Sequence, residues 1–212
     1  MKNKLLSIYR KLYSTFGSQG WWPASTPFEV TVGAILTQNT SWSNVEKAID
    51  NLKSRKLLRA KVLYRLPEKS LARIIKPAGY YNVKAKRLMN FLKFFIQRYH
   101  ASIRRMASVK AMVLRNQLLA INGIGPETAD SIILYALHKP VFVIDAYTKR
   151  ILLRHGLIKD SACYEDIQRL FMHNLKRSGK MFNEYHALLV KLGKDFCLKH
   201  KPKCHCCPLK EI

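Results

Sequence analysis

Acids are scarce in this chain of 212 residues: 13 Asp and Glu stand against 38 Lys and Arg. The few carboxylates set beside glycines or apolar runs are therefore the first candidates for chemistry. In "QLLAINGIGPETADSIILYA", Gln117 to Ala136, Glu127 and Asp130 follow a Gly-Ile-Gly turn, and in "VFVIDAYTKR" Asp145 follows four apolar residues. Asp145 opens a helical pattern, so its carboxylate is expected at a helix N-terminus beside a hydrophobic wall, where local sequence alone reads as an N-cap. Glu127 suits the first turn of a helix, complementing the dipole, and Asp130 reads as a solvent-facing helix position. The turn itself offers a different chemistry. Asn122 and Gly123 can take positive φ after a helix end, and Gly125 allows close backbone approach. Pro126 then starts the next helix, so backbone amides at its positive end would form a phosphate site that needs no side chain. A plain helix–turn–helix connection with a glycine C-cap would use the same residues.

A third chemistry lies in the tail, "FCLKHKPKCHCCPLKEI". Four of the five cysteines, Cys197, Cys204, Cys206 and Cys207, crowd there. In a reducing compartment such a cluster reads as metal binding before disulfide. Cys163 stands apart and reads as buried structure.

The formal net charge of +25 implies self-repulsion unless a polyanion is the partner. Nucleic acid is the first candidate, although structural RNA-binding proteins and membrane surfaces answer to the same charge. Between Lys69 and Pro126 no acid occurs, while Arg73, Lys76, Lys84, Lys86, Arg87, Lys93, Arg98, Arg104, Arg105, Lys110 and Arg115 fall in that window. It reads as a phosphate-facing surface, or else as a solvated basic face. The N-terminus has its basic residues spread through an amphipathic pattern, so it is neither a signal peptide nor a membrane span, and a cytoplasmic location is expected.

The elements that must carry these residues are helical almost throughout. Helix period runs through Leu5 to Phe16, after Thr26-Pro27 to Leu36, Ser43 to Leu52, Lys84 to Tyr99, Ala111 to Leu119, Pro126 to Ala136, Ala146 to His155, Tyr164 to Lys176 and Asn183 to Phe196. Thr26 with Pro27 suits an N-cap and first helical position, and Ser43 to Glu46 has capping-box spacing. The strand-like "VFVI" is too short and solitary for a sheet. An all-α fold follows.

Taken together, "GIGPETAD" and "VIDAYTKRI" in a very basic chain resemble the helix-hairpin-helix DNA glycosylase superfamily, the endonuclease III group, over nearly the whole chain. The resemblance implies a six-helix domain with the hairpin, expected at residues 24–136, and a second helical domain from both termini, 1–23 with 137–212, with a DNA-facing cleft between them. Asp145 then stands at the family's catalytic position. Breaking an N-glycosidic bond develops oxocarbenium character on the sugar, and a nearby carboxylate stabilises that charge and orients or deprotonates water. Family members that also cleave the strand carry a lysine two residues after the second hairpin glycine, which forms a Schiff base. Here Glu127 occupies that place, so a monofunctional reaction is expected; Glu127 would line the base pocket or simply cap its helix.

"GWWPASTPFEVTVGAILTQNTSW" and "KPAGYYNVKAKRL" resemble the 3-methyladenine glycosylase branch. That likeness makes Trp21, Trp22, Pro23 and Trp42 the walls of a base pocket, suited to an electron-poor alkylated purine; as residue types alone the tryptophans would be ordinary core. Gln38 takes the position that fills the gap left by a flipped base. DNA contacts are expected from Asn122, Gly123, Ile124, Gly125 and Thr128 of the hairpin and from Lys84, Lys86 and Arg87. Cys197, Cys204 and Cys207 follow C-x6-C-x2-C, the first three ligands of the family's C-x6-C-x2-C-x5-C loop for a 4Fe-4S cluster. The fourth would fall one residue past Ile212, leaving open a longer chain than the one given, an incomplete cluster, a substitute ligand such as Cys206 or a histidine, a zinc site with His200 or His205, or no metal. The implied partner is double-stranded DNA containing a damaged base, bound by a monomer without membrane contact. Two rivals remain: an oxidised-pyrimidine glycosylase with lyase activity, and a non-catalytic DNA-binding module.

Overall fold

The structure is a computed structural model describing residues 1–212, and it contains helices and turns but no strand. In chain order the helices are α1 (Lys2–Phe16), α2 (Pro27–Leu36), α3 (Trp42–Ser54), α4 (Ala60–Tyr64), α5 (Glu68–Ile74), α6 (Tyr81–Tyr99), α7 (Ile103–Ser108), α8 (Ala111–Leu119), α9 (Pro126–Ser131), α10 (Ala146–Arg154), α11 (Tyr164–Asn174) and α12 (Gly179–Asp195). The chain divides into two compact units, Ala24–Leu137 and Met1–Pro23 with His138–Ile212.

In the unit Ala24–Leu137, α2 is the central element, with every residue from Glu29 to Leu36 buried. A helix that is apolar all round belongs in the middle of a bundle, and α2 packs on α3, α6 and α9. Its start follows the expected chemistry: Thr26 Oγ1 accepts the Glu29 amide at 3.1 Å and Pro27 holds the first position. Even the one acid is answered, since Glu29 Oε1 lies 2.5 Å from Lys53 Nζ. The capping box expected at Ser43 is not formed. Instead α3 begins one residue earlier, at Trp42, with Ser41 as its extended N-cap.

Helix α6 starts at Tyr81 rather than Lys84. That added turn places Lys84 on the face shared by Ala85, Leu88, Phe91, Leu92 and Phe95, all buried. Beyond α9 the helical path loosens into a π-turn over Ile132–Ala136, so the single helix expected from Pro126 to Ala136 is two pieces.

In the other unit, α12 packs against α10 and α1. Tyr185 Oη donates to the Leu5 carbonyl at 2.8 Å, tying the N-terminal helix to the C-terminal segment. Phe142 stacks on Phe171 with ring centroids 3.8 Å apart. The run Val141 to Ile144 is buried and joins no sheet. Side chains of α11 satisfy its backbone: Gln168 Nε2 donates to the Phe142 carbonyl at 2.7 Å, and the Ile144 amide donates to Tyr164 Oη at 3.3 Å. Gly193 is needed where α12 meets α10, since a Cβ there would lie 2.4 Å from the Tyr147 ring.

Candidate functional site

Asp145 is the N-cap of α10, with extended backbone, and its Oδ1 accepts the Thr148 amide at 2.7 Å. Its other oxygen faces α12, where His186 Nε2 lies 3.6 Å from Oδ2 and both side chains are largely buried. Burial alone would push this carboxyl up. The nearby charge of His186 and the hydrogen bond from the Thr148 amide outweigh burial, and the pKa is held below the usual carboxylate value. Asp145 is thus ionised in an apolar setting, the state a general base or a cation-stabilising group requires. The local sequence carries no signal of a functional role for His186. In "EYHALL" it falls on the same helix face as Phe182, Tyr185 and Leu189, which gives it the pattern of a core residue.

In the same unit Trp21 and Trp22 meet edge to face, with centroids 5.6 Å apart and an interplanar angle of 62°. Both are half-buried and Pro23 is exposed. Lys194 Nζ stands 5.8 Å from the Trp21 ring centroid, within reach of a cation–π interaction.

In the unit Ala24–Leu137 the hairpin is formed by α8, a turn and α9. Gly123 has φ +94°, the one positive φ in the turn; Asn122 does not share it. Gly125 is the N-cap of α9 with extended backbone. Ile124 is buried and its amide donates to the Ile121 carbonyl at 3.0 Å, so that amide faces the turn rather than a ligand. Asp130 does not face solvent. It is fully buried, paired bidentately with Arg115 of α8: Nε to Oδ1 at 2.8 Å and Nη2 to Oδ2 at 3.1 Å. The pair fixes α8 against α9 and so fixes the turn between them. Glu127 is exposed in the first turn of α9.

Gln38 reaches this hairpin. Its Nε2 donates to the Gly123 carbonyl at 3.0 Å and to Thr128 Oγ1 at 2.9 Å, and its Oε1 accepts from Arg87. Trp42, the first residue of α3, donates from Nε1 to Glu46 Oε1 at 2.7 Å along its own helix.

The basic window needs correction at two positions. Lys84 is 1% exposed and its Nζ donates to the Ala78 carbonyl at 2.7 Å, closing the short turn Lys76–Ala78. Burial first, and the charge of Arg87 second, bring its pKa down to about 8. It therefore serves the fold, not a phosphate, as does Arg115. Arg73, Lys76, Lys86, Lys93, Arg98, Arg104, Arg105 and Lys110 are exposed.

In the tail, Cys197 is buried, Cys207 half-buried, and Cys204 and Cys206 exposed. Burial, with the neighbouring Cys197, Cys204 and Cys206, pushes the Cys207 thiol up. No three His, Cys, Asp or Glu side chains come together as a metal site. Cys197 Sγ instead accepts from Arg154 at 3.3 Å, and Cys206 Sγ donates to the Lys203 carbonyl at 3.6 Å. As folded, these side chains do not assemble a ligand set for a 4Fe-4S cluster or zinc. Cys163 is exposed, not buried: it precedes α11 as N-cap, its amide donating to Asp166 Oδ2 at 3.1 Å.

Residues 32–177 match the family model described as HhH-GPD superfamily base excision DNA repair protein. The chain belongs to this superfamily. An HhH-GPD relative in Methanocaldococcus jannaschii, named "Putative DNA repair glycosylase MJ1434", is 49% identical over 210 residues, 98% of this chain and 94% of that one. The H. pylori 3-methyladenine DNA glycosylase MagIII bound to 1,N6-ethenoadenine superposes with TM-score 0.77 at 27% identity, over 91% of this chain and 96% of that one. A non-covalent endonuclease III–DNA complex gives TM-score 0.84 at 19% identity over 99% and 94%, a likeness of fold. This HhH-GPD protein is a DNA repair glycosylase, an enzyme that binds DNA. No helix is long and apolar enough to cross a membrane.

Proposed function

We propose that this glycosylase releases damaged bases, alkylated purines first among them, by water attack without cleaving the strand. The observation that carries the reading is the buried, ionised Asp145 on α10, combined with a carboxylate rather than an amine at Glu127. As the base departs, Asp145 stabilises positive charge on the sugar and takes a proton from the attacking water. His186 keeps it ionised despite burial. Glu127 has no nucleophilic nitrogen, so the Schiff base of a lyase does not form there.

In this reading Trp21, Trp22 and Pro23 of one unit, and Trp42 of the other, are the base-stacking residues. The likeness to the 3-methyladenine glycosylase supports alkylated purines over oxidised pyrimidines, and indole faces stack well on electron-poor rings. Gln38 enters the duplex where the flipped base has left. Asn122, Gly123 and Gly125 of the hairpin turn, with the start of α9, and the exposed Lys86 take the phosphates. No step is assigned to the cysteines. Iron and acid-labile sulfide analysis of the purified protein, with its visible absorption spectrum, reads directly whether the tail carries a cluster.

The test is release of free base from methylated duplex, run beside thymine-glycol and uracil duplexes, each with and without alkali. Free 3-methyladenine or 7-methylguanine, with strand breaks only after alkali, is the expected result. Breaks at an oxidised pyrimidine without alkali would overturn both the substrate class and the monofunctional chemistry.

A further inference from the structure

We propose that Arg87 is a positioning residue that couples the hairpin to Gln38, and not a phosphate ligand. The inference rests on the reading of Gln38 as the side chain that enters the duplex. A primary amide has two N–H donors and one acceptor oxygen. In Gln38 all three groups are engaged at once, by the Gly123 carbonyl, Thr128 Oγ1 and Arg87. Gln38 therefore cannot leave for a duplex without releasing the hairpin on one side and Arg87 on the other.

Arg87 is built into this arrangement. A Cβ added at Gly123 would come within 2.2 Å of Arg87 Cγ and 2.9 Å of Cδ, so the arginine stem lies directly across the hairpin glycine. The absence of a side chain at Gly123 thus serves two purposes: it permits φ +94° and it makes room for Arg87. One helical turn further along α6, Asn90 Nδ2 donates to the Asn122 carbonyl at 3.0 Å. Two successive carbonyls of the turn, Asn122 and Gly123, are in this way held by side chains of α6 and by Gln38. Arg87 is half-buried while its neighbour Lys86 is exposed. A flat guanidinium presents several N–H groups in a fixed fork, and its stem can pack on a backbone while its head orients an amide. Any shift of the turn as it seats on a phosphate is felt at Gln38 through the Gly123 carbonyl. Gripping the backbone and freeing the wedge become one event, with Arg87 setting the pose from which Gln38 departs.

The two roles for Arg87 predict opposite results. A phosphate ligand is largely replaced by lysine, and its removal lowers the salt slope of binding by about one for any duplex. A positioning arginine leaves the slope unchanged, and lysine does not replace it. The experiment compares Arg87→Lys, Arg87→Met, Gln38→Ala and Arg87→Met/Gln38→Ala, measuring affinity for an undamaged duplex and for one with an abasic site across a salt series. Melting curves confirm that each variant is folded. The expected result is a wild-type salt slope throughout. Preference for the abasic site should fall about tenfold in both Arg87 variants, and the double variant should be no worse than Gln38→Ala. A salt slope lowered by about one and restored by lysine overturns the proposal, as do fully additive losses in the double variant. If Gln38→Ala alone keeps wild-type preference, the wedge reading itself falls and takes the coupling with it. If Gln38→Ala is impaired while Arg87→Lys is normal, only the coupling falls.

Discussion

Replacing Arg115 with methionine keeps the length of the stem but removes the guanidinium that holds Asp130. Asp130 is 0% exposed and Arg115 7%, and the two are joined by the bidentate bonds at 2.8 and 3.1 Å. Two such charges in a protected setting attract strongly, but both were desolvated on folding, so the pair as a whole adds little over an apolar pair of similar volume. Removing one partner is different: the carboxylate keeps its desolvation and loses the bidentate donor. That change costs about 3–5 kcal/mol. For a protein of this length each kcal/mol moves the melting temperature by about 2–4 °C. Arg115→Met should therefore melt about 6–20 °C below wild type.

The pair also joins the two hairpin helices, so loosening it should weaken binding to undamaged duplex. Arg115 contacts Asp130 in the interior rather than a phosphate, so the salt slope should be unaltered. Arg115→Met combined with Asp130→Leu, which removes both charges, should recover most of the lost melting temperature. Circular dichroism melts of the four proteins in the cycle, with duplex binding across a salt series, supply both readouts. An Arg115→Met protein melting within about 2 °C of wild type would refute the reasoning, because no buried carboxylate of the stated energy would then depend on Arg115. A double variant less stable than either single one would refute it as well.

Asp145→Asn should lower single-turnover base release by about 10²–10⁴-fold while lesion-duplex affinity is kept; wild-type release would remove Asp145 from the chemistry. His186→Gln takes away the largest influence holding the Asp145 carboxyl down and leaves burial, which raises it, so the acid limb of the pH–rate profile should move to higher pH. Since the folded pKa of Asp145 lies below its unfolded value, its contribution to stability is present above the ordinary carboxylate range and lost as pH falls through the folded value. The melting difference between wild type and His186→Gln should accordingly narrow on acidification, and a difference that widens would contradict the sign. Glu127→Lys places an amine where the resemblance puts a lyase nucleophile, and borohydride should then trap a covalent DNA complex with the variant but not with wild type; trapping by wild type would show another amine at work.

Several features of this fold are legible in the amino-acid order, and the failures have identifiable causes. Helices α2 and α8 run over the residues that periodicity assigns them, because Thr26-Pro27 and the Gly-Ile-Gly turn punctuate them sharply. Helices α4, α5 and α7, of five, seven and six residues, are too short to show a period. Charge alone makes the basic window a phosphate-facing surface, yet Lys84, Ala85, Leu88, Phe91, Leu92 and Phe95 fall at helical spacing on one buried face. Followed residue by residue, the period places Lys84 in the core. Asp130 is similar, adjoining Ala129 and lying three residues before Ile133, both fully buried. Nothing local could have placed His186 against Asp145, since that contact exists only once α12 packs on α10. The link from Gln38 to Gly123 and Thr128 likewise depends on tertiary packing.

Local sequence poses Asp145 as either a helix cap or a reacting group, and the structure makes those duties compatible. Its two oxygens are divided between them: Oδ1 accepts the Thr148 amide at 2.7 Å, and Oδ2 faces His186 at 3.6 Å. The cap fixes the carboxylate's direction, because the side chain cannot rotate without exposing an amide at the start of α10. The imidazole preserves its charge in an apolar setting. This division determines which substitution is informative. Asparagine caps a helix about as well as aspartate, so Asp145→Asn retains the α10 start and removes only the charge. Alanine removes both and adds a capping loss of about 0.5–2 kcal/mol. If Asp145 acts only as a cap, asparagine should restore base release and alanine should not. If it acts in the reaction, both should fail, with only the alanine variant also losing stability through the cap.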